Sequence, residues 1–186
     1  LVEWTRDHLV DEEGRTAVEA WAADLYGRRA RRAGWSAPRG EDGEAGLLRA
    51  ELLAFAAFTA DVARVRREAA RRGRRYLGDG ERDRDAVEPN LVPTALKAAV
   101  REGDAAFFER LFERFLASDD ALFRARALRA LASTQDPTLA QRALGLSLDA
   151  RLRVNEVTVP LRTQLSMPET RAAAWDWMRE HFDAVF

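Results

Sequence analysis

The sequence predicts an all-α fold, an irregular α-α superhelix built from antiparallel helix pairs. Three observations carry that expectation. Apolar residues recur at helical spacing along most of the chain, no segment of alternating apolar and polar residues makes a convincing strand, and glycine, proline and capping residues punctuate the pattern at short intervals. No strict repeat period emerges, so the array is expected to be irregular, of an armadillo-like or HEAT-like kind. No internal boundary is compelling, and residues 1–186 read as a single helical-repeat domain.

The elements follow in order. Residues 17–33 carry Trp21 and Leu25 on an apolar face, and Gly34 stops the helix. Residues 36–46, with Pro38 and three glycines, read as a loop. Residues 47–60 are apolar on most faces (Leu48, Leu52, Leu53, Phe55, Phe58), which predicts a helix buried between others. Val62, Val65, Ala69, Gly73 and Tyr76 form a narrow stripe on the next helix, and the polar residues 77–88 connect it onward. Asn90 is placed to cap a helix reaching about Glu102, with Pro93 tolerated in its first turn. Gly103 and Asp104 reset the chain before a helix marked by Phe107, Phe108, Leu111, Phe112 and Phe115.

The stretch from Phe123 to Pro137 is the most informative. Phe123, Ala127, Leu128 and Leu131 fall on one face of a helix, with Arg124, Arg126 and Arg129 mostly elsewhere. Ser133-Thr134 cuts it off, and Asp136 restarts the chain as N-cap with Pro137 at the first helical position. Residues 139–148 form a second helix, followed by residues 149–156 and a closing helix bearing Trp175 and Phe182. Between them Val154, Val157, Thr158 and Val159 favour a strand locally. Context keeps a helix there, which either kinks at Pro160 or begins close to it with Asn155 or Thr158 capping.

This order of motifs resembles the C-terminal helical domain of zinc aminopeptidases of the aminopeptidase N and puromycin-sensitive aminopeptidase family. The residues that carry the resemblance are Arg129-Ala130-Leu131, Thr134, Asp136-Pro137, Leu146-Ser147-Leu148-Asp149, Arg153, Asn155-Glu156 and Trp175, and it extends back to Gly34-Trp35 and Leu48-Arg49. The β-branched run with Pro160 is a departure, standing where the family has a helix.

The resemblance implies that this chain is the noncatalytic C-terminal domain, a fragment whose catalytic domain lies elsewhere in the same polypeptide. That chain begins at Leu1 rather than Met agrees with a fragment. Zinc is expected in the missing domain and no cofactor here. H-E-x-x-H is absent, and the two histidines, His8 and His181, lie far apart in sequence. The implied role is to close over the catalytic domain and enclose the chamber for a peptide substrate. In such a chamber Arg151, Arg153, Asn155 and Glu156 are the candidates to meet the distal part of the peptide, since an arginine fork binds carboxylates in two places at once. The bland reading of Arg153 is an interhelical salt bridge or cap with a carboxylate such as Glu156. The alternative function is a free-standing helical scaffold for protein–protein interaction. The apolar ends, Leu1, Val2 and Trp4 at one and Phe182, Val185 and Phe186 at the other, favour surfaces that meet something else.

Composition excludes other classes. A net charge of −1, from 30 basic and 31 acidic residues, argues against a nucleic-acid partner, and no apolar run is long enough to span a membrane. The absence of cysteine is compatible with a reducing, cytoplasmic setting. Heavy use of alanine and arginine points to a GC-rich, bacterial genome. The arginines from Arg64 to Arg75, and Arg28, Arg29, Arg31 and Arg32, read as solvated faces rather than a phosphate-binding stripe. His8 with Asp11, Glu12 and Glu13 lacks a second nitrogen ligand and reads as a surface turn. The phenylalanine cluster reads as core, and Gly78-Asp79-Gly80 as a turn.

Overall fold

The computed structural model describes residues 1–103 and 105–185, and these are helical with no strand. Asp104, expected at a chain reset, and Phe186, expected in an apolar end, lie outside the described residues. The chain divides into two compact units, Leu1–Ala98 and Ala99–Phe186.

The first unit opens with α1 (Val2–His8) and α2 (Glu12–Ala33). Asp11 caps α2 by accepting from the Gly14 N–H at 2.9 Å, and Gly34 ends it at φ 71°, a left-handed value that favours glycine. The helix starts five residues earlier than the apolar pattern predicts because polar Glu12, Glu13 and Arg15 belong to its first turn. Its expected face is also rotated. Trp21 is 55% exposed, whereas Ala22 and Ala30 are buried, with Gly27 between them. α2 packs against α3 (Gly43–Phe58), with the rings of Tyr26 and Phe55 edge-on at 4.9 Å, while a Cβ on Gly27 would come within 3.8 Å of Val62. Asp42 caps α3 through the Ala45 N–H at 2.8 Å, so the helix begins inside the segment expected to be loop. Leu47 and Leu48 lie on its outer side, Leu48 at 66% exposure, so the helix is not buried on most faces as the sequence suggests.

Gly78 (φ 62°) ends α4 (Ala63–Leu77); a Cβ there would meet the Glu81 carbonyl at 2.8 Å. The stripe Val65, Ala69, Gly73 and Tyr76 is buried as its spacing predicts. Ala69, Ala70 and Ala98 form one core cluster, against which Trp35 and Phe58 pack. Short 3-10 turns at Arg84–Ala86 and Pro89–Leu91 lead into α5 (Val92–Arg101). That helix starts one residue later than an Asn90 cap implies, because Asn90 sits within the second 3-10 turn.

The second unit contains the end of α5 and α6 (Ala105–Leu116), α7 (Ala121–Ala132), α8 (Pro137–Gly145), α9 (Val159–Ser166), α10 (Arg171–Glu180) and α11 (Phe182–Val185). Phe107, Phe108, Leu111, Phe112 and Phe115 are all buried on α6, as core residues at that spacing should be. Asp136 caps α8 through the Leu139 N–H at 2.9 Å with Pro137 in its first turn, and the helix tightens into a 3-10 turn at Leu146–Leu148. On α9 the Gln164 amide is fully buried and donates to the carbonyls of Ala132 and Thr134 at 2.6 and 3.2 Å. These bonds satisfy carbonyls at and beyond the end of α7, which a helix terminus otherwise leaves unpaired. A second cluster joins Leu144, Leu161, Ala174 and Trp177. Trp177 takes the buried position on α10, while Trp175 is 53% exposed.

Candidate functional site

Residues 149–158 link the 3-10 turn to α9 through a series of tight turns. Asp149 shapes the first: its Oδ1 accepts from the Arg151 backbone N–H at 2.9 Å, an Asx-type turn, while the Arg151 guanidinium returns two bonds at 2.9 and 2.6 Å. Those bonds hold the Asp149 carboxyl below its ordinary range. The Glu156 N–H then donates to the Arg153 carbonyl at 2.7 Å, and Val159 N–H to the Glu156 carbonyl at 3.0 Å. The β-branched run is therefore turn, not strand, and α9 begins at Val159 with Thr158 as N-cap and Pro160 in the first turn. Pro160 has no N–H to contribute, which costs nothing where that N–H would be unpaired anyway.

Two side chains of this segment point inward, Leu152 and Glu156, and those between them point out. Glu156 is only 5% exposed. Its Oε1 accepts from Arg124 Nε at 2.8 Å and its Oε2 from Arg124 Nη2 at 2.6 Å. The Arg153 backbone N–H adds a third bond at 2.9 Å. Arg124 also donates through Nη1 to the carbonyls of Phe115 and Ser118 at 3.0 and 3.3 Å, and its guanidinium lies 4.3 Å from the Phe115 ring centre. This pair pushes the Arg124 pKa up and holds the Glu156 carboxyl down, in each case chiefly through the hydrogen bonds between them and against the cost of burial.

The four expected residues therefore share one segment but not one environment. Arg151 is exposed and tied to Asp149, with its guanidinium 6.0 Å from the Phe112 ring centre. Arg153 is exposed and reaches the Asp119 carbonyl at 3.4 Å. Asn155 is exposed beside Val154, which is 94% exposed. Glu156 faces the interior, with both carboxylate oxygens engaged. Its side-chain partner is Arg124, not the Arg153 guanidinium.

Arg124, which the sequence sets mostly off the apolar face of α7, is only 5% exposed. A signal was present, because Arg124, Leu128 and Leu131 stand at i, i+4 and i+7, the spacing of one inward stripe. The chemistry such a tip can perform is recognition. Arg151, Arg153 and Asn155 offer hydrogen-bond donors to a carboxylate or peptide group, held on a turn whose base is fastened by a buried ion pair.

A metal is a different matter. His8 packs on Trp4 with ring centres 5.6 Å apart, and His181 stacks on Trp177 at 4.4 Å with Nδ1 2.9 Å from the Trp177 carbonyl. Among the described residues no three histidine, cysteine, aspartate or glutamate side chains are grouped to hold a metal ion. The described residues do not fit a zinc centre.

Comparison with known proteins bears on the whole chain. A family model described as the ERAP1-like C-terminal domain matches residues 2–186. The chain is 27% identical to Aminopeptidase M1 of Arabidopsis thaliana over 179 residues, 94% of this chain and 20% of that protein. It is 28% identical to Aminopeptidase M1-A of Oryza sativa subsp. japonica over 180 residues, 93% of this chain and 20% of that one. With Aminopeptidase 2, mitochondrial, of Saccharomyces cerevisiae it shares 24% identity over 106 residues, 55% of this chain and 11% of the other. The chain thus spans a fifth or less of the length of these relatives.

Proposed function

The chain belongs to the family of ERAP1-like C-terminal domains, and from that premise we propose that it is the noncatalytic C-terminal domain of a zinc-dependent aminopeptidase. In this reading it closes over a catalytic domain of the same polypeptide and encloses the chamber that receives the peptide. The family match across residues 2–186 carries the proposal, supported by relatives that are named aminopeptidases and are about five times as long. Zinc belongs to the catalytic domain, where it would supply a Lewis acid and an activated water.

The contribution of this chain is positional. Arg153 and Asn155, with Arg151 beside them, face solvent on a turn fastened from beneath by Glu156 and Arg124, and there they meet the distal part of a peptide. The setting we propose is the cytoplasm of a bacterium; among the described residues no helix is long and apolar enough to cross a membrane.

The test is made in the intact polypeptide with Arg153→Ala combined with Asn155→Ala. Removing a charge-assisted contact should raise KM for long peptides roughly tenfold, with hydrolysis of a single-residue chromogenic substrate unchanged. An unchanged KM for both substrates would remove the turn from the chamber. A separate arm tests the domain's role: the chain expressed alone with added zinc should release no amino acid from either substrate.

A further inference from the structure

A cleft of about 520 Å³ opens in the first unit between the end of α2 and the start of α4. Its floor is apolar, made of Ala30, Leu53, Val65 and Trp35, and its rim is cationic, made of Arg31, Arg64, Arg67 and Arg71. Glu68 is the single carboxylate in the lining, and it is already committed: Arg71 donates to it at 2.8 and 2.7 Å and Arg72 at 2.8 Å. Those bonds hold the Glu68 carboxyl below its ordinary range. The side chains of Arg31, Arg64 and Arg67 make no hydrogen bond or ion pair among the described residues.

A solvated arginine face explains exposed guanidiniums, but not their gathering around an apolar hollow. The volume falls within the range of small-molecule sites, where apolar walls supply contact and a few polar groups fix orientation. Three uncompensated guanidiniums match an anion with several oxygens, because each fork donates two parallel bonds. We propose that this cleft binds a small organic phosphate, its phosphate oxygens on Arg31, Arg64 and Arg67 and its organic part along Trp35, Leu53 and Val65. The site is independent of the turn at residues 149–158 and of any peptidase reading.

The experiment titrates the intact protein with inorganic pyrophosphate and with a nucleoside diphosphate by calorimetry, at low and at physiological salt. The proposal expects one saturable site, tighter for the nucleotide than for pyrophosphate. Arg64→Gln combined with Arg67→Gln should weaken both ligands at least tenfold, and circular dichroism should confirm that the variant is folded. A charge-matched control, Arg28→Gln with Arg32→Gln, removes two exposed arginines outside the cleft lining and should leave binding unchanged. No saturable binding by the wild type, or equal weakening in the two double variants, would overturn the proposal, since the second result is what diffuse attraction to a basic surface produces.

Discussion

Arg124 and Glu156, 32 positions apart in sequence, form a two-pronged ion pair at 2.8 and 2.6 Å with both side chains nearly excluded from solvent. The pair fastens α7 to the turn that precedes α9. Its energetic meaning is asymmetric. Desolvating two charges offsets most of their attraction, so the intact pair adds little, yet removing one partner strands the other.

Arg124→Met should therefore destabilise the fold by about 3–5 kcal/mol, because it leaves a buried carboxylate with one backbone donor. The double variant Arg124→Met with Glu156→Leu should recover most of that loss. Urea denaturation followed by tryptophan fluorescence measures both. A double variant no more stable than the single one would show that the pair itself, and not the stranded charge, carries the stability.

Acid should reveal the same pair. Folding holds the Glu156 carboxyl below its ordinary value of 4.5, chiefly through its hydrogen bonds to Arg124. A carboxyl depressed by folding contributes fully above its unfolded value, and the contribution drains away as the pH falls from there through the folded value. Asp149, Glu41 and Glu68 are shifted in the same direction, so the wild-type curve alone cannot isolate one residue. Glu156→Gln should be less stable than wild type at neutral pH, and the gap should narrow steadily as the pH drops below about 4.5. A gap independent of pH would mean that the lost charge is not what matters.

Arg49 plays the corresponding part in the first unit. It donates to Glu41 at 2.8 and 2.7 Å and also pairs with Glu88, which in turn accepts from the Ala37 N–H. One guanidinium thus ties the segment after α2 to the 3-10 turns before α5. Arg49→Lys keeps the charge but offers a single point in place of a fork. Amide hydrogens of residues 35–41 should exchange roughly tenfold faster in that variant, the loss expected for one charge-assisted bond. Unchanged exchange there would show that the loop is held by its other contacts.

Much of this fold was legible because helix grammar is local. Asp136 with Pro137 announced a helix start, Gly34 announced an end, and the spacing of Phe107, Phe108, Leu111, Phe112 and Phe115 announced a buried face. All of these depend on residues within a turn or two of one another. Misreadings arose where two rules competed. Trp21 and Leu48 are large and apolar, which favours inward positions, but on α2 the buried positions go to the small residues Ala22, Gly27 and Ala30. The run Val157-Thr158-Val159 favours a strand locally, but the helix that context predicts is the one that forms, with Thr158 at its N-cap and Pro160 in its first turn.

The candidate turn was legible as a place and not as an arrangement. Its motif order named Arg151, Arg153, Asn155 and Glu156, but could not sort them into outward and inward side chains. Arg124 and Arg49 show why. Each stands four residues before a buried leucine, Leu128 and Leu53, on the inward stripe of its helix. An arginine is tolerated there only if a carboxylate arrives to satisfy it. Glu156 and Glu41 arrive from segments outside the helix, 32 and eight positions away. The sequence by itself determined the helices, their caps and the helical-domain family pattern, because backbone hydrogen bonding and side-chain periodicity act over a few residues. Only the tertiary structure decided which arginines are buried and which side chains of the turn face solvent, because desolvation depends on what the rest of the chain packs against each charge.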